Sequence, residues 1–178
     1  SSGNIQVITN GTDFVADMVQ SDFRSRYGLF GKKVLLCVGT ILDRKNQCQL
    51  VRTFRLLPSA VQDKLKILFC GYDSMNGELQ DRIAAAGLQD KLIYAGAVGN
   101  EDMKKFYSVA DGLVMPSYAE GLSIAALEAI AYGLPVILFS DSECAEDLDD
   151  EKVVCIAGER SDGCLAEAVS DRYGREWD

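Results

Sequence analysis

The chain has 178 residues, enough for one α/β domain of ordinary size with a core of its own. Apolar residues make up 48% and charged residues 25%, an average globular composition. A formal charge of -9 excludes a sequence-independent nucleic-acid binder, which needs a basic face, but leaves room for a local basic pocket around one small phosphate ligand.

The expected elements alternate between strand and helix along the chain. Lys33–Val38 reads as a strand, followed by a helix from about Asn46 to Leu57. Lys66–Cys70 is a second strand, and a helix over Gly77–Ala86 stops at Gly87, a favoured C-terminal residue. Lys91–Tyr94 is a third strand, with a short helix over Glu101–Val109. Gly112–Met115 is a fourth, then a helix from about Leu122 to Tyr132, with Gly133 and Pro135 beyond its end. Leu134–Phe139 and Lys152–Ile156 supply two more strands, and Asp162–Ser170 a last helix. Residues 1–30 show weaker periodicity and read as a lead-in from something upstream. The opening Ser1-Ser2-Gly3 lacks an initiator methionine, which fits a processed product or a fragment.

Strands this apolar are buried on both faces, so the expected fold is α/β: a Rossmann-like, doubly wound parallel sheet of about six strands with helices on both faces. Residues 1–178 form a single domain in this reading. Such sheets bind ligands beyond the carboxyl ends of the strands, where the strand order reverses. The loops to search are therefore Gly39–Asn46, Gly71–Asn76, Ala95–Asn100, Pro116–Leu122 and Ser140–Glu146.

The six cysteines include no C-x-x-C pair, and Cys37, Cys70 and Cys155 fall inside apolar strands, so buried free thiols are expected rather than metal ligands or disulfides. The chain has no histidine, which removes the commonest general base and metal ligand. No apolar run approaches a membrane span, and no signal segment opens the chain; the expected compartment is the reducing cytoplasm.

The strongest signal lies in Pro116–Ile137. A strand ends at Pro116, a tight loop carries Glu120 and Gly121, and a helix starts near Leu122. The first amides of a helix lack internal partners and sit at the positive end of its dipole. With no side chain at Gly121, the amides around Leu122 and Ser123 can hold a diphosphate. Glu128 follows Glu120 by about two helical turns, so the two carboxylates reach opposite ends of such a ligand. The plain alternative is a pair of solvated helix glutamates. Against it, Ala125, Ala126, Ala129 and Ala131 let this helix lie close to the sheet.

This stretch resembles the C-terminal domain of glycosyltransferase family 4, the retaining enzymes with the GT-B fold. Glu120 and Glu128 fall on that family's paired glutamates. Other segments resemble it in the same order: Asn10-Gly11-Thr12-Asp13 in the lead-in, Gly39 followed by Arg44-Lys45-Asn46, the run Leu92–Gly96, and Tyr107 to Asp111. The match runs from about residue 5 to 150, and its collinearity is more specific than any one piece.

The resemblance implies roles. Arg44 and Lys45 would contact the donor diphosphate, where fixed cations suit a leaving group that gains charge. Gly39 and Thr40 would border the same site, and Gly121, Leu122 and Ser123 would supply amides. Glu120 would hydrogen-bond the transferred sugar and Glu128 the ribose, while Tyr94 and Gly96 would frame the base. Thr40 stands where the family often has arginine, a gap that Arg44 would fill. The implied chemistry is transfer of a sugar from a nucleoside diphosphate, UDP before GDP, to an acceptor hydroxyl with retention. No cofactor or metal is expected, and the acidic Asp141-Ser142-Glu143 loop is read as surface. Trp177 and Tyr173 are read as packing a closing helix.

A GT-B enzyme has two such domains, so a missing N-terminal acceptor-binding domain is expected, and the isolated piece would be inactive. Similar enzymes commonly build bacterial surface polysaccharides and often work at the inner face of the cell membrane, contacting it only through the whole protein. The alternatives are a non-catalytic nucleotide-sugar-binding module or a sugar-nucleotide epimerase-like domain. A nicotinamide-dependent dehydrogenase predicts G-x-G-x-x-G after the first strand, but that segment runs from Gly39 to Arg44 without it. A flavodoxin-like interaction domain would need neither Arg44-Lys45 nor Glu120 and Glu128.

Overall fold

Period-two alternation along the apolar runs sends neighbouring side chains into two separate cores, as expected of strands buried on both faces. In a computed structural model of the chain, Leu35, Cys37, Ile67, Phe69, Ile137 and Phe139 enter one core, while Val34, Leu36, Leu68, Cys70, Val136 and Leu138 enter the other. The structure describes residues 10–118, 121, 123–142, 145, 148, 153–156 and 159–174.

The elements are α1 (Asn10–Tyr27), β1 (Lys33–Val38), α2 (Gln49–Leu56), α3 (Ser59–Lys64), β2 (Leu65–Cys70), α4 (Glu78–Ala85), β3 (Leu92–Gly96), α5 (Asn100–Val109), β4 (Gly112–Met115), α6 (Ile124–Ala131), β5 (Val136–Phe139), β6 (Val153–Ile156) and α7 (Asp162–Tyr173). A single 3-10 turn, Asp43–Lys45, precedes α2. The strands form one parallel sheet of six, in the order β3-β2-β1-β4-β5-β6. This is the doubly wound arrangement expected. The chain moves outward from β1 to β3, then crosses back to β4, so the order reverses between β1 and β4.

One core holds α2, α3, α4 and α7 against the sheet, with Leu50, Phe54, Leu79, Ile83 and Leu165 contributing. The other holds α5 and α6, through Phe106, Tyr107, Ala126 and Ala129, with Phe23 and Tyr27 of α1 packed on its rim. Tyr173 is buried where the closing-helix reading puts it, and its hydroxyl donates to the Asp111 carbonyl at 3.1 Å. Trp177 lies outside the described residues.

Two elements depart from the expectation. Part of the lead-in is the 18-residue helix α1, tied down by Phe23 and Tyr27 in an aromatic cluster with Phe106. Ser59–Lys64 is a short helix after Pro58 that buries only Val61, too little to register as a pattern. Cys37 and Cys70 are buried free thiols, and Cys48 and Cys164 are half-buried ones. Burial pushes the Cys70 thiol up to about 12. Cys144 and the side chain of Cys155 lie outside the described residues. Among the described residues, no helix is long and apolar enough to cross a membrane.

Candidate functional site

The loops after β1 and β2 leave the sheet side by side, and their backbones nearly touch. A Cβ built on Gly71 would sit 2.0 Å from the Gly39 carbonyl oxygen, so no other residue fits there without moving a loop. Gly39 has φ 135°, a conformation that also favours glycine. Pairing continues past the strand ends: the Ile41 amide donates to the Tyr72 carbonyl and the Ser74 amide to the Ile41 carbonyl. Asp73 then caps the turn into α4, accepting from the Met75 and Gly77 amides, and these bonds hold its carboxyl below the usual carboxylate range.

The loop after β1 is stapled from within and to the loop after β4. Buried Gln47 donates to the Thr40 carbonyl at 2.9 Å. The Tyr118 amide donates to the Arg44 carbonyl at 2.8 Å, and the Asn46 amide group donates to the Gln49 carboxamide at 2.7 Å. Arg160 completes the fastening. Its guanidinium donates to the carbonyls of Ser117 and Tyr118, pairs with Asp141 at 2.8 Å, and lies over the Phe139 and Tyr118 rings. Its own carbonyl accepts from the buried Gln49 side chain at 3.2 Å. Thus Asp141, at the start of the acidic loop, is an ion-pair partner of Arg160. Among the described residues, no group of three acidic, cysteine or histidine side chains is placed to hold a metal.

These loops frame an open cleft of about 270 Å³ at the carboxyl ends of β1 and β2, with Gly39, Gly71, Val98, Asn100, Ile124 and Glu128 among its walls. It sits beside the reversal point, where the ends of β1 and β2 meet the N-terminal ends of α5 and α6. Helix α6 begins two residues later than expected. Ser123 is its N-cap, and the Ser123 hydroxyl accepts from the Ala126 amide at 3.3 Å. The helix-start amides without an intrahelical acceptor therefore begin at Ile124. Gly121 is exposed, and a Cβ there would meet nothing within 4 Å, so packing does not demand glycine.

The structure brings some expected residues together and sets others apart. The Lys45 ammonium lies over Gly39, 3.5 Å from where a Cβ would stand. Glu128 faces the same cleft from α6. Arg44 is exposed in the same turn, and Thr40 follows Gly39 directly. Tyr94 and Gly96 lie on edge strand β3 and serve the neighbouring loop: the Tyr94 hydroxyl donates to the Gly71 carbonyl at 2.9 Å, and the Gly96 carbonyl accepts from the Gly71 amide at 2.8 Å. From that side Val98 and Asn100 line the cleft instead. Glu120 and Leu122 lie outside the described residues, as does Glu143.

Sequence reasoning missed Arg160, Gln47, Gln49 and the role of Tyr107. Tyr107 donates to Glu128 at 2.8 Å, and Asp111, at the other end of the same motif, accepts from the Val34 amide at 2.8 Å. The Tyr107–Asp111 resemblance was the signal for both, but it named no partner.

Three comparisons bear on this geometry. Mannosylfructose-phosphate synthase of Agrobacterium fabrum is 30% identical over 131 residues, which cover 70% of this chain and 29% of that protein. Among solved structures, WaaG, a glycosyltransferase involved in lipopolysaccharide biosynthesis, superposes with a TM-score of 0.71 at 22% identity, over 93% of this chain and 43% of that one. Anabaena Alr3699/HepE in complex with UDP gives 0.72 at 17% identity, over 89% and 43%. At these identities the superpositions show the fold, which is that of one half of a GT-B protein. The chain spans less than half the length of each of these proteins. The model of glycosyl transferases group 1 matches residues 19–171, and the chain belongs to that family.

Proposed function

We propose that this chain is the donor-binding half of a retaining family 4 glycosyltransferase, taking a nucleoside-diphosphate sugar at the cleft beyond the ends of β1 and β2. The observation that carries this reading is the placement of Lys45 over Gly39, a wall of the cleft that Glu128 also lines, beside the reversal point of the sheet. The amides at the start of α6 and the Lys45 ammonium suit a diphosphate, and Glu128 suits the ribose hydroxyls. Arg44, in the same turn, adds a second cation for a leaving group that gains charge as the glycosidic bond breaks. Gly39, Thr40, Gly121, Leu122 and Ser123 border the phosphates in this reading. Glu120 holds the transferred sugar, and Tyr94 and Gly96 act on the base side by holding the Gly71 loop.

The departing phosphate assists deprotonation of the acceptor hydroxyl, so the reaction needs no histidine and no metal. The acceptor sits on a second domain N-terminal to this one, and transfer requires both. Ile124, a wall of the cleft, and Leu127 are exposed on α6 and are apolar surface such a domain would cover. HepE in complex with UDP supports UDP as the first nucleotide to try, with GDP next. WaaG, involved in lipopolysaccharide biosynthesis, supports a role in bacterial surface polysaccharide synthesis. A cytoplasmic site, at the inner face of the membrane through the whole protein, fits that role.

A calorimetric panel of UDP, GDP, ADP and their hexose conjugates against this chain tests the reading. Selective binding weakened about tenfold by both Lys45→Ala and Glu128→Ala is expected, each substitution removing a charge-assisted contact. Binding that neither substitution changes would place the ligand elsewhere and overturn the assignment.

A further inference from the structure

Glu128 is exposed on α6, yet its carboxylate is held from behind. Tyr107, on α5, is 3% exposed and donates its phenolic O–H to Glu128 Oε2 at 2.8 Å. The Ala125 carbonyl oxygen is the other neighbour of that hydroxyl, at a longer 3.4 Å. The Tyr107 ring is fixed by the core it packs into and stacks on Tyr132 with ring centres 5.3 Å apart. Burial, and then the hydrogen bond to Glu128, push the Tyr107 phenol well above the usual tyrosine range, so it remains a donor.

A phenylalanine would supply the same ring contacts. What tyrosine adds is one short hydrogen bond, and that bond ends on a carboxylate lining the cleft. An ionised carboxylate has about four lone-pair sites, so one donor behind Oε2 leaves the rest for a ligand. A free glutamate side chain loses rotamer freedom when it binds, and a fixed one has already lost it.

We propose that Tyr107 is a positioning residue: its hydroxyl locks the Glu128 carboxylate in the orientation that accepts both hydroxyls of a ribose vicinal diol. The inference rests on the reading of this cleft as a nucleotide site and adds a residue that touches no ligand. It also gives the tyrosine of the Tyr107–Asp111 motif a task distinct from that of the aspartate, which secures β1. Discrimination against a ligand without the diol then depends on a hydrogen bond one residue removed from it.

The test is titration of UDP and 2′,3′-dideoxy-UDP against the wild-type chain, Tyr107→Phe, Glu128→Ala and the double variant. Wild type prefers UDP, and Glu128→Ala abolishes that preference. Tyr107→Phe weakens UDP about three- to tenfold, less than the roughly tenfold or more that a direct hydrogen bond to a charged group is worth, because Glu128 stays in place, and leaves the dideoxy compound within about twofold. In the double variant the tyrosine change adds nothing. Equal loss for both nucleotides, or no loss for either, would show that Tyr107 only packs. A wild type without the preference, or Glu128→Ala retaining it, would instead overturn the ribose reading itself. Glu128→Asp, on an exposed position, withdraws the carboxylate from Tyr107 without touching the core. It should cost the same preference even if Tyr107→Phe folds poorly, and retention of the preference there counts against the proposal.

Discussion

The two helical layers differ most at α6. Against one face of the sheet, α2, α4 and α7 press Phe54, Leu50, Leu79 and Leu165 onto Phe69 and Phe139, all fully buried and all hydrocarbon. Against the other, α6 makes its fully buried contacts with Ala126 and Ala129, and the large residue beside it, Tyr107, ends in a hydroxyl that serves the cleft. The first layer supplies burial. The second trades bulk for closeness and carries the group that faces the ligand. Stability and binding should therefore separate when the two layers are changed one at a time.

The largest effect is expected in the first layer. Phe54→Ala should cost about 3–5 kcal/mol in denaturant unfolding, through lost burial and a cavity. Below its melting temperature it should still bind nucleotide about as the wild type does. Ala129→Leu reverses the pattern: overpacking should cost about 1–3 kcal/mol, and lifting α6 should weaken nucleotide binding as well. If Ala129→Leu bound normally while Phe54→Ala did not, the division of labour would be wrong.

Next comes the contact between the loops. Gly71→Ala places a methyl into the Gly39 carbonyl, so one loop must move. A tenfold or greater loss of nucleotide affinity is expected, with destabilisation of about 1–3 kcal/mol, measurable by calorimetry and thermal unfolding. Arg160→Ala should follow, at about 1–3 kcal/mol, because the Ser117 and Tyr118 carbonyls lose their donor. Arg160→Lys should recover little, since one ammonium cannot reproduce the planar fork.

The smallest effect concerns acid. Asp73 has its folded-state pKa lowered by the Met75 and Gly77 amides. Its stabilisation is fully present above the unfolded value near 4 and is lost as pH falls through the lower folded value. Asp73→Asn should flatten the pH dependence of unfolding in that window and leave it unchanged near neutrality.

Most strands and the loops that matter were legible because both rest on local pattern. Gly112–Met115 is a strand over the same residues in sequence and structure, and the loops after β1 and β2 that frame the cleft are among the five that follow the apolar runs. The start of α6 falls two residues beyond the expected Leu122 because the Ser123 hydroxyl caps it. What the sequence hid is long-range and polar. Arg160 reaches across 43 residues to Ser117, and Tyr107 across 21 to Glu128. Hydrophobic periodicity reports which face of an element is buried and says nothing about which hydroxyl meets which carboxylate. Tyr94 shows the same limit: its place in a recognisable run points to the base side of the site, but not to the Gly71 carbonyl that its hydroxyl holds.

The most direct test of the central claim is where a nucleotide lands. Amide chemical-shift mapping of the labelled chain during a UDP titration should move Gly39, Thr40, Lys45, Gly71, Asn100, Ile124 and Glu128 together, and leave the α2–α4 surface around Arg52 and Arg82 still. Shifts confined to that α2–α4 surface, or scattered with no cluster at the end of β1, would contradict the placement of the site.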